Sequence, residues 1–186
     1  IHFNDYDRAI RFLEHAKQKD SLNPDVYYKM AQVYYAQDSH TFCLNYVNKA
    51  IRLDDENETY HLLLAQILYK QGRTEESEEA FHDAVEIAPM MEGTWTEYIK
   101  VQIAARDYVV ALDTLACADI ESSSPLFNYM RAVCQFGLQE EKKALQILET
   151  CLMESFEQHE IIFDLMPALE TNKKIKNMIA YYLFED

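Results

Sequence analysis

The chain has 186 residues, 49% of them hydrophobic and 12% aromatic, enough for a sizeable core, yet only three glycines and four prolines, too few for a turn-rich β-sandwich or barrel. Its formal net charge is −15, and a field of that sign repels phosphate backbones, which excludes nucleic acid as an expected partner. No run reaches the roughly 18 consecutive apolar residues that a membrane span needs, so no span is expected in this fragment.

In chain order, Tyr6, Ala9, Leu13 and Ala16 recur at three- and four-residue steps and predict a helix over about residues 4–19. Asn23-Pro24-Asp25 then places a cap residue before a first-turn proline, a helix start. From there small residues return at fixed offsets. Ala31, Cys43 and Ala50 are followed about 34 residues later by Ala65, Ser77 and Ala84. A third copy reads Ile99, Ala111 and Ala118, with isoleucine at its first anchor, and a fourth reads Ala132, Ala144 and Cys151. Between the last two anchors of each copy stands an apolar residue: Val47, Phe81, Leu115 and Leu148. The implied units start at Pro24, Glu58, Glu92 and Pro125, a period of about 34 residues, and run over 24–57, 58–91, 92–124 and 125–158.

Each unit reads as two amphipathic helices. In the second, Leu62, Leu63, Ala65, Gln66, Leu68 and Tyr69 form the first helix, and Gly72 stops it. Thr74 is expected to cap the next helix ahead of Glu75, Glu76, Glu78 and Glu79, acidic residues that suit a helix N-terminus. Ser124-Pro125 repeats the cap-and-proline start. The small residues let helices approach to roughly 8–10 Å, and Tyr34, Leu68, Phe81 and Trp95 fill the space that remains. A fifth start near His159 gives Ile162 and Leu165, but Pro167 interrupts it. Lys173 to Leu183, with Ile175, Met178, Ile179 and Tyr182 on one side, is predicted to cap the stack within a closing region over 159–186.

Catalytic signatures are missing from the sequence. No G-x-x-x-x-G-K or G-x-G-x-x-G loop occurs, no H-E-x-x-H, and no G-x-S-x-G. Cys43, Cys117, Cys134 and Cys151 form no C-x-x-C and lie far apart, so neither a zinc site nor a disulfide framework is expected. Free buried thiols fit a reducing compartment, hence a cytoplasmic expectation. Cys43 and Cys151 stand at packing positions, and His61 falls at a core position rather than at that of a base or ligand. The reading is of a chain without catalytic residues, metal or cofactor, and not an enzyme.

The helix–turn–helix of about 34 residues, with small residues at its eighth, twentieth and twenty-seventh positions, resembles the tetratricopeptide repeat. Gly72, Ser77, Phe81, Ala84 and Pro89 make the second copy the nearest match, whereas Gln102 and Gln135 depart from the large residue usual at the eleventh position. The resemblance implies an all-α, right-handed α–α superhelix of antiparallel hairpins forming one solenoid. Residues 4–19 would then be an orphan second helix, and the chain a fragment of a larger, bacterial repeat protein.

It also implies a protein-interaction scaffold, whose first helices line a concave groove. Carried over, the groove comprises Tyr28, Gln32, Tyr35, Leu62, Gln66, Tyr69, Thr96, Lys100, Ile103, Tyr129, Val133 and Phe136. The positions where some members clamp a terminal carboxylate hold Tyr28, Gln32, Leu63, Gly93 and Glu97 instead, so no such clamp is expected. An aromatic, nearly uncharged groove suits a peptide or partner segment with apolar anchors, leaving the negative charge to the second helices and loops. The alternatives are a self-association module, giving a homo-oligomer, and a regulatory region of a protein whose active part lies N-terminal to this fragment.

Overall fold

The computed structural model describes residues 3–183, so the last three residues of the expected closing region lie outside the described residues. Helices make up nearly all of it, and no strand occurs among the described residues. The chain divides after Ala88 into two compact units.

The first unit opens with α1 (Phe3–Lys19), then the hairpins α2 (Pro24–Ala36) with α3 (His40–Leu53), and α4 (Glu58–Lys70) with α5 (Thr74–Ile87). Asn23 caps α2 by accepting the Asp25 N–H at 3.0 Å, with Pro24 in the first turn, where a missing N–H costs nothing. Asn57 caps α4 in the same way through the Thr59 N–H. The small anchors lie where helices cross: Ala31, Cys43, Ala50, Ala65, Ser77 and Ala84 are all buried. Ser77 shows how close the crossing is, because its hydroxyl donates to the Ala65 carbonyl at 2.8 Å across the α4–α5 pair. Phe81 fills the remaining space at 0% exposure, a burial worth about 1.5–3 kcal/mol. Beside α1, the rings of Tyr34 and Tyr46 stack at 5.4 Å, and Tyr46 donates to Glu14.

The second unit holds α6 (Glu92–Ala105) with α7 (Tyr108–Glu121), and α8 (Pro125–Gly137) with α9 (Glu141–Glu154). Ser124 caps α8 through the Leu126 N–H. Trp95, the single tryptophan, is buried and donates its indole N–H to the Pro89 carbonyl at 2.7 Å. Ile99, where the other copies carry alanine, is also fully buried. Its bulk sits at the α6–α7 crossing, and that hairpin packs less closely than the other three.

After α9 the chain makes a 3-10 turn (Phe156–Gln158), a short helix α10 (Ile161–Leu165), a second 3-10 turn beginning at Pro167, and α11 (Lys173–Leu183). α11 packs on α9 with Ile175 fully buried, whereas α10 packs on α8 and α6. Proline has no N–H to continue α10, which ends at Leu165.

Two local expectations are corrected. Thr74 is not a cap: it is the first helical residue of α5, and Arg73 precedes it without a side-chain cap bond. The tight turn leaves no spare residue, because Gly72 sits at φ +73° and the Arg73 N–H already bonds back to the Leu68 carbonyl. Nor are all four thiols buried, since Cys117 is exposed on α7.

Candidate functional site

In the first unit, α2 presents Tyr28, Gln32 and Tyr35, and α4 presents Leu62, Gln66 and Tyr69, each trio at four- and three-residue steps and so on one helix face. Gln32 is exposed and the other five are half-buried. All six remain within reach of a partner.

The rings are held in place from beneath. Tyr28 packs on Tyr60 with centroids 4.9 Å apart, and Tyr60 is buried with its hydroxyl donating to Asp25 at 2.8 Å. Burial, then the Asp25 hydrogen bond, push the Tyr60 phenol well above its usual range. Tyr35 lies under the Lys70 ammonium, 4.0 Å from its ring centroid. This cation–π contact brings a positive charge to the end of an otherwise uncharged face. Sequence reasoning missed Lys70, whose one signal was its place next to Tyr69 in the last turn of α4.

In the second unit the corresponding positions are placed differently. Thr96 and Ile103 on α6 are 6% and 3% exposed, and Tyr129 and Val133 on α8 are both 0% exposed. These four, expected to be accessible, are buried instead; α10 packs on the same two helices, α6 and α8. Tyr129 donates its hydroxyl to the Ser155 carbonyl at 2.8 Å, tying this face to the segment after α9. Lys100 and Phe136 stay half-buried, with Lys100 paired to Glu97 at 2.9 Å.

The second helices are not uniformly acidic. α5 exposes Glu75, Glu76, Glu78, Glu79, Asp83 and Glu86, with Arg73 forked onto Glu76 and holding that carboxyl below its usual range. α3 has Lys49 and Arg52 and no acidic residue, and α7 exposes Val109, Val110 and Ile120, the last at 82%, beside Asp113, Asp119 and Glu121. His61 is a packed side chain, with Nε2 3.1 Å from the Asp55 carbonyl and Nδ1 3.4 Å from Asp83. Burial pushes the Cys43 and Cys151 thiols up to about 11 and Cys134 to about 12, so all three stay protonated near neutrality and are poor nucleophiles. Among the described residues no group of three or more His, Cys, Asp or Glu could hold a metal ion, and no helix is long and apolar enough to cross a membrane.

Comparison with known proteins gives a consistent fold. The family described as anaphase-promoting complex, cyclosome, subunit 3 matches residues 3–84. The DnaJ homolog subfamily C member 3 of Gallus gallus is 26% identical over 177 residues, covering 94% of this chain and 34% of that protein. The chain spans about a third of the length of the curated relatives it matches. Among solved structures, the C-terminal part of a TPR repeat-containing protein from Cytophaga hutchinsonii superposes with a TM-score of 0.69 at 14% identity, covering 98% of this chain and 74% of that one. YrrB, described as a TPR protein with an unusual peptide-binding site, superposes with a TM-score of 0.60 at 19% identity, covering 92% and 81%. At such identities the structural likeness is one of fold.

Proposed function

We propose that the chain, whose fold is that of tetratricopeptide-repeat proteins, is a protein-interaction scaffold gripping a partner segment on the α2–α4 face. The observation that carries this reading is the set Tyr28, Gln32, Tyr35, Leu62, Gln66 and Tyr69, uncharged, aromatic and accessible on a chain of net charge −15. The rings give large contact area at low side-chain entropy, and Tyr28 and Tyr35 are already braced by Tyr60 and Lys70. Gln32, exposed on α2, offers an amide to the backbone of an extended or helical segment. YrrB supports the reading to the extent that it too is described by a peptide-binding site.

The test is selection of peptides from a displayed library on the intact chain. Tyr28→Ala with Tyr69→Ala should weaken the selected peptides by about thirtyfold, the loss of one hot-spot contribution, while helix content is unchanged. Undiminished affinity would sink the proposal.

A second reading, self-association, is favoured by the apolar outer side of α7, where Val109, Val110 and Ile120 are exposed. Sedimentation across a concentration series would then show mass rising with concentration in the parent chain and constant in Ile120→Glu.

A further inference from the structure

The face built by α6 and α8 already holds a ligand, and that ligand is the chain itself. Were the repeats to continue beyond α9, a new first helix would pack on α9; α11 takes that place instead. α10 packs on α6 and α8, whose Thr96, Ile103, Tyr129 and Val133 are buried where their counterparts in the first unit are half-buried or exposed. Ile162 anchors it at 0% exposure, and the segment that leads to it starts at Ser155, the C-cap of α9, whose carbonyl accepts the Tyr129 hydroxyl.

The hold is local and incomplete. α10 is five residues long, too short to persist as a helix without its support, and no side chain caps its N-terminus. Ile162 is its only fully buried side chain, while Ile161, Phe163 and Leu165 are half-buried and Asp164 is exposed. The segment's own backbone bonds are short-range, such as Met166 N–H to the Ile162 carbonyl at 2.9 Å. On α6, one of the two helices it packs on, the Thr96 hydroxyl is buried with no hydrogen-bond partner. A polar group left unmet in this way is a flaw that a better-matched occupant would repair.

We propose that residues 155–165 are a displaceable in-cis occupant of the α6–α8 face. The partner that displaces them is a short helical segment with one β-branched aliphatic anchor in the Ile162 place, a carbonyl for Tyr129 and an acceptor for Thr96. Binding of such a partner is weakened by the fraction of chains in which α10 is seated. Displacement here is independent of whether the α2–α4 face binds anything.

The probe is a fluorescein-labelled peptide of residues 155–171, titrated by polarisation into the full chain. It should bind the full chain carrying Ile162→Asp about tenfold or more tighter than the parent chain. The peptide bearing the same substitution should bind neither. An Ile162→Asp chain that keeps its circular dichroism yet does not bind the parent peptide overturns the proposal. Should that variant unfold, hydrogen exchange in the parent chain decides. The Phe163 and Met166 amides should exchange about a hundredfold faster than those in the middle of α6 and α8. Exchange of all of them at one common, global rate overturns the proposal.

Discussion

Gln102→Leu should stabilise the second unit. Gln102 is 4% exposed, and both its amide nitrogen and its amide oxygen are buried without a hydrogen-bond partner. Each such atom has given up its water for nothing, at about 1–3 kcal/mol. Leucine has a similar volume and no polar atoms, and Leu68 occupies the matching place in the α4–α5 hairpin at 4% exposure. For the two atoms together the relief is about 2–6 kcal/mol, and setting it against an imperfect shape match of about 1 kcal/mol leaves a net gain of about 1–5 kcal/mol. Trp95 is the only tryptophan and is buried in the same unit, so its fluorescence during urea unfolding reports the second unit directly. The midpoint should rise with the slope unchanged. A midpoint that stays or falls would mean that the amide has partners in solution that leucine cannot replace, and that Gln102 is not a buried liability.

Three further outcomes follow from local geometry. At Gly137 a Cβ would lie 2.3 Å from Tyr108 Cζ, so Gly137→Ala should destabilise by about 1–3 kcal/mol, and Tyr108→Ala in the same chain should remove most of that penalty, both read by chemical denaturation. Arg106 closes α6 at φ +65°, a left-handed conformation that costs a residue with a Cβ about 1 kcal/mol; Arg106→Gly should return about that much, raising the thermal midpoint. Because burial raises the folded pKa of Cys43, Cys134 and Cys151, their thiolates are suppressed, and a chromogenic disulfide reagent at mildly alkaline pH should titrate Cys117 alone until denaturant exposes the rest. The same shift makes these thiols withdraw stability above their unfolded pKa of 9.0, since the unfolded chain ionises first.

How much of this was legible is clearest at the helix ends. Asn23-Pro24 and Ser124-Pro125 carry their signal in two residues, a side-chain acceptor and a fixed φ, and both helices begin there. The turns inside the hairpins were harder. Asp38, Gly72, Arg106 and Gln139 all sit at positive φ, one in each hairpin, yet only one of them is glycine. At the other three the close packing of two helices overrides a local preference worth about 1 kcal/mol, and a pattern search for glycine finds nothing. The second helices were read as the seat of the negative charge, which fits α5 and α7, the latter exposing Asp113, Asp119 and Glu121 beside Val109, Val110 and Ile120, and does not fit α3, which carries Lys49 and Arg52 and no acidic residue.

The candidate face parted along the same line between local and non-local information. Periodicity alone places Tyr28, Gln32 and Tyr35, or Thr96, Lys100 and Ile103, on one side of a helix, and it does so equally well for both units. What lies over that side depends on a segment distant in sequence. Pro167 announces that a helix must end near it, but a break says nothing of where the chain goes next. The destination was decided by packing: Ile162 gains full burial in α10, which packs on α8 and α6, and Ile175 does so in α11, which packs on α9. Two equivalent faces written in one repeating pattern thus end in opposite states, one open and one filled. The filled one is informative because its occupant is visible. Its one fully buried anchor, Ile162, is aliphatic, and on our proposal the first-unit face, with Tyr28 and Tyr69 at its two ends, would take an apolar anchor of the same kind from outside.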